Sequence, residues 1–337
     1  MTRQVLSFDE RVGVRLLGNI QTRARQGVAP YLMRTNAAGY RTRELSSPRP
    51  GGKRRVLVYG DSFTEGVGVS DGHRFTDVLE ALVPDIEVLN FGVRATGTDQ
   101  QLLYFRERPV DLEYDLVIVG LYTGDVHRNH SKYGVLTSET GAHYEKPYFR
   151  EENGELVLHN VPVPRNPTSY GDLDKSERGL VYYRGVKYRL RLAVRRWFPR
   201  AKTALQRVTR YQPAPYLKSP SSPAWLLTRA ILDQWAAESS APVVVLAIPP
   251  YQYVEKTASS TAYTKRFAEL GDADGLRVHD ALPDLVAAAG RRGAASLRIP
   301  GDAHYSADGH RVIAESLAPV IAAELARTAS EPGAEAS

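Results

Sequence analysis

The sequence predicts a three-layer α/β fold built on a parallel sheet, and three observations carry that prediction. Apolar runs recur at 56–59, 86–91, 115–121 and 242–248. They have strand length and are apolar on both faces, as parallel strands covered by helices must be. Stretches of helical period separate them, which is the alternation that a parallel sheet needs to make its crossovers. The chain has 337 residues and is 42% hydrophobic, ordinary for a globular protein and enough for one large domain with insertions.

Taken in order, the first twenty residues contain no apolar run of signal-peptide or membrane-span length, so cytoplasmic residence is the default expectation. Ser7, Asp9 and Glu10 ahead of Val12, Val14, Leu16 and Leu17 read as the opening of a short helix. Residues 23–43 read as irregular, ending in a turn at Asn36-Ala37-Ala38-Gly39-Tyr40-Arg41. The Ser, Pro and Gly of 46–53 make a flexible connector that closes an N-terminal extension, 1–52.

The main domain, 53–327, begins with the strand at 56–59. A helix over 73–82 places Phe75, Val78, Leu79 and Leu82 on one face; the strand 86–91, a helix over 98–107 capped by Thr98, and the strand 115–121 follow. The pattern resumes at 224–240, a helix with Leu227, Ile231 and Trp235 at core spacing. Then come the strand 242–248, stopped by Pro249-Pro250, a helix at 263–270, a short strand at 275–278, a helix at 282–289 and a closing helix at 307–327. The last ten residues, 328–337, have the composition of a disordered tail.

Residues 127–223 interrupt the alternation between the third and fourth strands. An insertion this long needs structure or a task of its own. Asn153-Gly154 predicts a hairpin turn into a strand at 155–160. From Arg178 to Arg210 there are eleven basic residues and no acidic one, with Val186, Leu190, Ala193, Val194, Trp197, Ala201, Leu205 and Val208 at helical spacing. That is a basic amphipathic helix over 179–210, kinked near Pro199. It serves either as a solvated face, or as a clamp for an anionic acyl donor through residues such as Arg184 and Arg191, or, less favoured, as a membrane-surface contact. No nucleic-acid motif accompanies the charge, and the net charge of +6 is a mild excess.

The residue inventory narrows the chemistry. With no cysteine, disulfides, thiolate metal sites and thiol nucleophiles are excluded. Gly66-Val67-Gly68 is too short for a dinucleotide fingerprint, so no cofactor is expected. His127 and His130 lie beside Asp125, but the remaining ligands of a metal site are not evident, so no metal is expected either.

What remains is a serine. The run Val56-Leu57-Val58-Tyr59 ends in Gly60-Asp61-Ser62, delivering the Ser62 hydroxyl to the carboxyl edge of the sheet, where open α/β folds place their ligand crevices. A serine there also serves as a helix cap or turn residue. A serine nucleophile needs a base, and the base needs an orienting partner. Asp302 and His304 supply both from one loop, if that loop is extended so that alternate side chains point the same way.

These residues resemble the SGNH, or GDSL, hydrolase family. Gly60-Asp61-Ser62-Phe63-Thr64 is similar to its first block, Asn90-Phe91-Gly92 to the start of its second, 114–125 to its third, and Asp302-Ala303-His304 with Gly309-His310-Arg311 to its last. The resemblance covers about 53–126 and 224–326 and implies a flavodoxin-like sheet, with Ser62 as nucleophile, His304 as base and Asp302 as its orienter. It also implies that the stretch 36–41 packs over the site.

Three positions depart from the family pattern. The second-block glycine whose N–H binds the oxyanion is Ala95 here, which keeps the donor. The third block reads Tyr122-Thr123-Gly124-Asp125-Val126, without the Asn that donates to the oxyanion, leaving Thr123, Asn129 or a backbone amide to substitute for it. One residue separates Asp302 from His304 where the family commonly has two.

Asp61 and Asp125, with Arg184 and Arg191, are the candidates for substrate contact. The function implied is serine-dependent ester hydrolysis of a small acyl ester, such as an acylated sugar or specialised metabolite. An acyltransferase using the same serine and a catalytically weakened binding protein on the same fold are the alternatives.

Overall fold

The computed structural model describes residues 5–26, 29–134, 143–174, 177, 206, 211–271 and 276–330. Its centre is a five-stranded sheet of β1 (Arg54–Gly60), β2 (Ile86–Asn90), β3 (Leu116–Tyr122), β4 (Val243–Ile248) and β5 (Leu276–Asp280). Every neighbouring pair is parallel, in the order β2-β1-β3-β4-β5. This is the flavodoxin-like arrangement, in which the strand order reverses between β1 and β3 and opens a crevice at their carboxyl ends. Val56 to Tyr59, Leu116 to Val119 and Val244 to Ile248 are fully buried, which is why these strands are continuously apolar instead of alternating.

The helices are α1 (Ser62–Glu65), α2 (Phe75–Leu82), α3 (Thr98–Arg106), α4 (Thr123–His130), α5 (Pro223–Glu238), α6 (Tyr251–Val254), α7 (Thr261–Gly271), α8 (Leu282–Arg292) and α9 (Ala307–Ser330). α2, α8 and α9 pack together, and α3, α4 and α5 form a second group, so the sheet lies between two helical layers. α3 starts from Gly97 and receives no side-chain cap, so Thr98 is its first residue and not its cap. α9 runs through Ser330, three residues into the stretch expected to be a tail; 331–337 lie outside the described residues.

The N-terminal extension differs from its expected form. Leu6–Asp9 and Gly13–Leu16 pair as an antiparallel hairpin where a helix was expected. Val12, Val14 and Leu16 are buried at a spacing of two, which is strand periodicity. Asp9 accepts from the amides of Arg11 and Val12 at 2.9 and 3.0 Å and so closes the turn. Residues expected to be irregular form a second hairpin, Gln21–Gln26 with Ala29–Arg34; its exposed polar positions hid the alternation.

In the insertion, Tyr148–Glu152 pairs with Glu155–His159 around Asn153 and Gly154, both at positive φ, as the Asn-Gly turn predicts. The basic helix expected over 179–210, with Arg184 and Arg191, lies outside the described residues. No helix among the described residues is long and apolar enough to cross a membrane.

Candidate active site

Ser62 is the first residue of α1, directly after β1 and Asp61. The turn works because Gly60 has no side chain: a Cβ there would lie 2.0 Å from Thr64 Oγ1 and 2.9 Å from the Gly120 carbonyl. Gly92 likewise lets the loop after β2 approach α1, since its Cβ would stand 2.3 Å from the Glu65 amide. Asp61 caps α1 by accepting from Phe63 N at 2.9 Å. Arg41, from the Asn36 to Arg41 stretch, is buried and donates to the carbonyls of Glu65, Gly66, Leu32 and Val69 and to Asp71. That stretch therefore clamps the segment following Ser62.

His304 reaches Ser62 from the loop before α9. Its Nε2 lies 2.8 Å from Ser62 Oγ, and its Nδ1 lies 2.5 Å from Asp302 Oδ1. With Nδ1 donating to the carboxylate, Nε2 is left to accept from the serine hydroxyl. The imidazole is backed by the Phe63 ring at 4.8 Å, which itself stacks on Tyr122 at 4.2 Å.

The loop is bent, not extended, and this corrects the expected basis of the one-residue spacing. Asp302 N donates to Ile299 O at 3.0 Å across Pro300 and Gly301, with Gly301 at φ 74°, a turn with Pro and Gly at its two central positions. Asp302 Oδ1 then accepts from both His304 N, at 3.0 Å, and His304 Nδ1. A single oxygen thus holds the backbone and the ring of the same residue, and one intervening residue suffices. Oδ2 accepts from Gln26 Nε2 at 2.8 Å, a contact from the second N-terminal hairpin with no signal in the sequence. Burial alone would raise the Asp302 pKa, but these hydrogen bonds and the adjacent imidazole hold it well below the ordinary carboxylate range.

Ala95 lies in the loop after β2 at φ 66°. This left-handed conformation explains why the family pattern favours glycine there. Neither its N–H nor that of Ser62 makes a hydrogen bond among the described residues, so both can serve as oxyanion donors. The loop is pinned by Glu65, which accepts from Arg94 N at 2.9 Å and from its guanidinium, and by Thr96 Oγ1, which donates to Val93 O at 2.7 Å.

Of the side chains named for the missing Asn, that of Asn129 is committed elsewhere. Asn129 is fully buried; its Oδ1 accepts from Asp99 N at 3.1 Å and its Nδ2 donates to Thr228 at 2.9 Å. Thr123 is buried at the start of α4, with its carbonyl accepting from Tyr216 OH at 2.5 Å.

Asp61 and Asp125 meet at Arg128, whose Nη1 donates to Asp61 Oδ2 at 2.7 Å and to Asp125. Gln101 donates to the other Asp125 oxygen at 3.1 Å. Burial, and then Asp61, push Asp125 well above the usual carboxylate range, against the pull of Arg128. Among the described residues there is no group of three or more His, Asp or Glu placed to hold a metal; His127 stacks on Tyr216 at 5.7 Å. His310 accepts from Phe75 N at 3.1 Å, and burial pushes its pKa down to about 3. Arg128 and Gln26 were the residues missed from sequence.

The structure thus brings together Ser62, His304 and Asp302, the three residues named from the sequence. A scan against protein-family models finds no match, and no curated protein matches the sequence. Solved structures do. A member of the lipolytic G-D-S-L family from Veillonella parvula is 9% identical, covering 79% of this chain and 97% of its own, with a TM-score of 0.43. A catalytic mutant of an acetylxylan esterase from Geobacillus stearothermophilus is 11% identical over 81% of this chain and 96% of its own, with a TM-score of 0.44. TesA is 12% identical over 80% of this chain and 98% of its own, with a TM-score of 0.42.

Proposed function

We propose that the chain is a serine-dependent ester hydrolase. The observation that carries the proposal is the continuous hydrogen-bonded line from Ser62 Oγ through His304 to Asp302, at 2.8 and 2.5 Å, set at the sheet's switch point. Ser62 attacks an acyl carbonyl while its proton passes to His304 Nε2. The new bond from Oγ to the carbonyl carbon replaces the bond to the leaving alcohol, which takes the proton from His304. Water, deprotonated by His304 in turn, attacks the acyl carbon; the bond to Ser62 Oγ breaks, the serine recovers its proton from His304, and the acid is released. The N–H groups of Ser62 and Ala95 receive the oxyanion in both steps.

The substrate in this reading is a small acyl ester, with an acylated sugar or specialised metabolite as the leading class. An anionic acyl donor is the version in which Arg184 and Arg191 take part. An acyltransferase differs only in the last step, where an alcohol replaces water, and a panel of acceptor alcohols separates the two by product. The first test is intact-mass labelling with a fluorophosphonate. The wild-type protein should gain one adduct and Ser62→Ala none, with hydrolysis of an aryl acetate falling on the order of 10⁶-fold in the variant. An unlabelled, folded wild-type protein would overturn the proposal.

A further inference from the structure

The third block leaves a gap in the oxyanion site, because Thr123, Gly124 and Asp125 offer no side-chain amide and Asn129 is committed elsewhere. A Cβ built on Gly124 would lie 3.8 Å from Arg128 Nη2 and 2.7 Å from the Tyr122 ring. The space that a side chain at 124 would enter is therefore bordered by a guanidinium. Arg128 is held there by Nη1, which donates to Asp61 Oδ2 at 2.7 Å, to the Thr96 carbonyl at 3.2 Å and to Asp125. Asp61 immediately precedes Ser62, and Thr96 immediately follows Ala95. One nitrogen thus ties together the two loops that carry the backbone donors. Asp61 Oδ2 is itself 3.5 Å from Ser62 Oγ. Nη2 and Nε make no hydrogen bond among the described residues, and the Arg128 side chain is 31% exposed, so the guanidinium keeps donors for a ligand.

We propose that Arg128 is a catalytic residue: its Nη2 donates the third hydrogen bond to the oxyanion formed when Ser62 attacks, in place of the absent side-chain amide. The proposal rests on the hydrolase reading above. Arg128 keeps its proton throughout; the electron pair moving onto the carbonyl oxygen is stabilised by the cation, and the proton of Ser62 still goes to His304. A fixed cation favours the charged intermediate over the neutral ester, which is the differential binding that raises turnover.

The test uses a neutral aryl acetate, so that binding of a substrate anion cannot enter. Arg128→Met should lower kcat by about 10²–10³-fold with KM unchanged, and slow fluorophosphonate labelling in parallel. Because it leaves two carboxylates without their cation, Arg128→Lys is measured beside it, with circular dichroism confirming the fold. Lysine keeps a charge for Asp61 and Asp125 but lacks the second nitrogen, so kcat should again fall, by less than in the methionine variant. Wild-type kcat in either folded variant overturns the proposal, as does a change confined to KM. A wild-type protein that fails to label at all strikes the hydrolase reading instead, so the two failures are distinguishable.

Discussion

The two sides of the crevice are made in different ways. On the triad side, Asp302 and His304 are placed by local backbone geometry: a turn across Pro300 and Gly301, then one carboxylate oxygen gripping the amide and ring of the residue two further on. On the side proposed to receive the oxyanion, the loop of Ala95, Arg128 with Asp125, and Asp61 come from three separate segments held together by charge. Local turns tolerate a change in spacing because the backbone carries the geometry. Long-range charge clusters tolerate a change in residue type because several groups can present a donor to one point. The departures from the family pattern fall accordingly: a shortened spacing on the first side, altered residues on the second.

The sharpest test of this contrast among the triad's supports is Asp302→Asn. The amide oxygen can still accept from His304 N and Nδ1, but the neutral side chain no longer stabilises the imidazolium that forms as His304 takes the serine proton, so turnover should fall by up to about 10⁴-fold. The backbone turn survives, so the fold should not change, and a crystal structure of the variant would check this. Its pH dependence has a definite sign. Because the native pKa of Asp302 lies below its unfolded value, its contribution to stability is full above about pH 4 and is lost as pH falls through the native pKa. The stability gap between wild type and Asp302→Asn should therefore be widest above pH 4 and narrow in acid, measured by denaturant melts across that range.

Gln26→Ala probes a long-range contact on the triad side, the donation at 2.8 Å to Asp302 Oδ2. Losing a single hydrogen bond to a partly exposed carboxylate should cost about 1 kcal/mol, or roughly fivefold in kcat. A loss as large as that of Asp302→Asn would show that the triad side, too, depends on distant segments.

This division also explains what could be read from the sequence. Residues joined within a few positions left a pattern: Gly60-Asp61-Ser62 at a strand end, and Asp302 near His304 in a loop. The parallel sheet was legible because burial on both faces demands uninterrupted apolar runs, as at Val117 to Val119 and Val243 to Leu246. The N-terminal hairpins were not, because strands with polar, exposed positions such as Gln21, Arg23 and Arg25 show no core alternation. Gln26 left no trace, since its partner is 276 positions away. Arg128 had a weak one, its place three residues after Asp125 on the same helical face, but its contact with Asp61 depends on the sheet bringing β1 and β3 side by side.

The smallest expected effect falls on the oxyanion side, at Ala95. Alanine at φ 66° bears the steric penalty that glycine avoids, while glycine gives back some of the gain through the greater freedom of its unfolded chain. Ala95→Gly should thus stabilise the protein by about 0.5–1 kcal/mol, read as a shift in a denaturant melt. Its N–H is retained and its loop remains pinned by Glu65 and by the Arg128 contact to Thr96, so the rate of fluorophosphonate labelling should stay at the wild-type value. A slower rate would mean that the alanine methyl itself restrains the donor, and that this side of the crevice depends on local backbone stiffness as the triad side does.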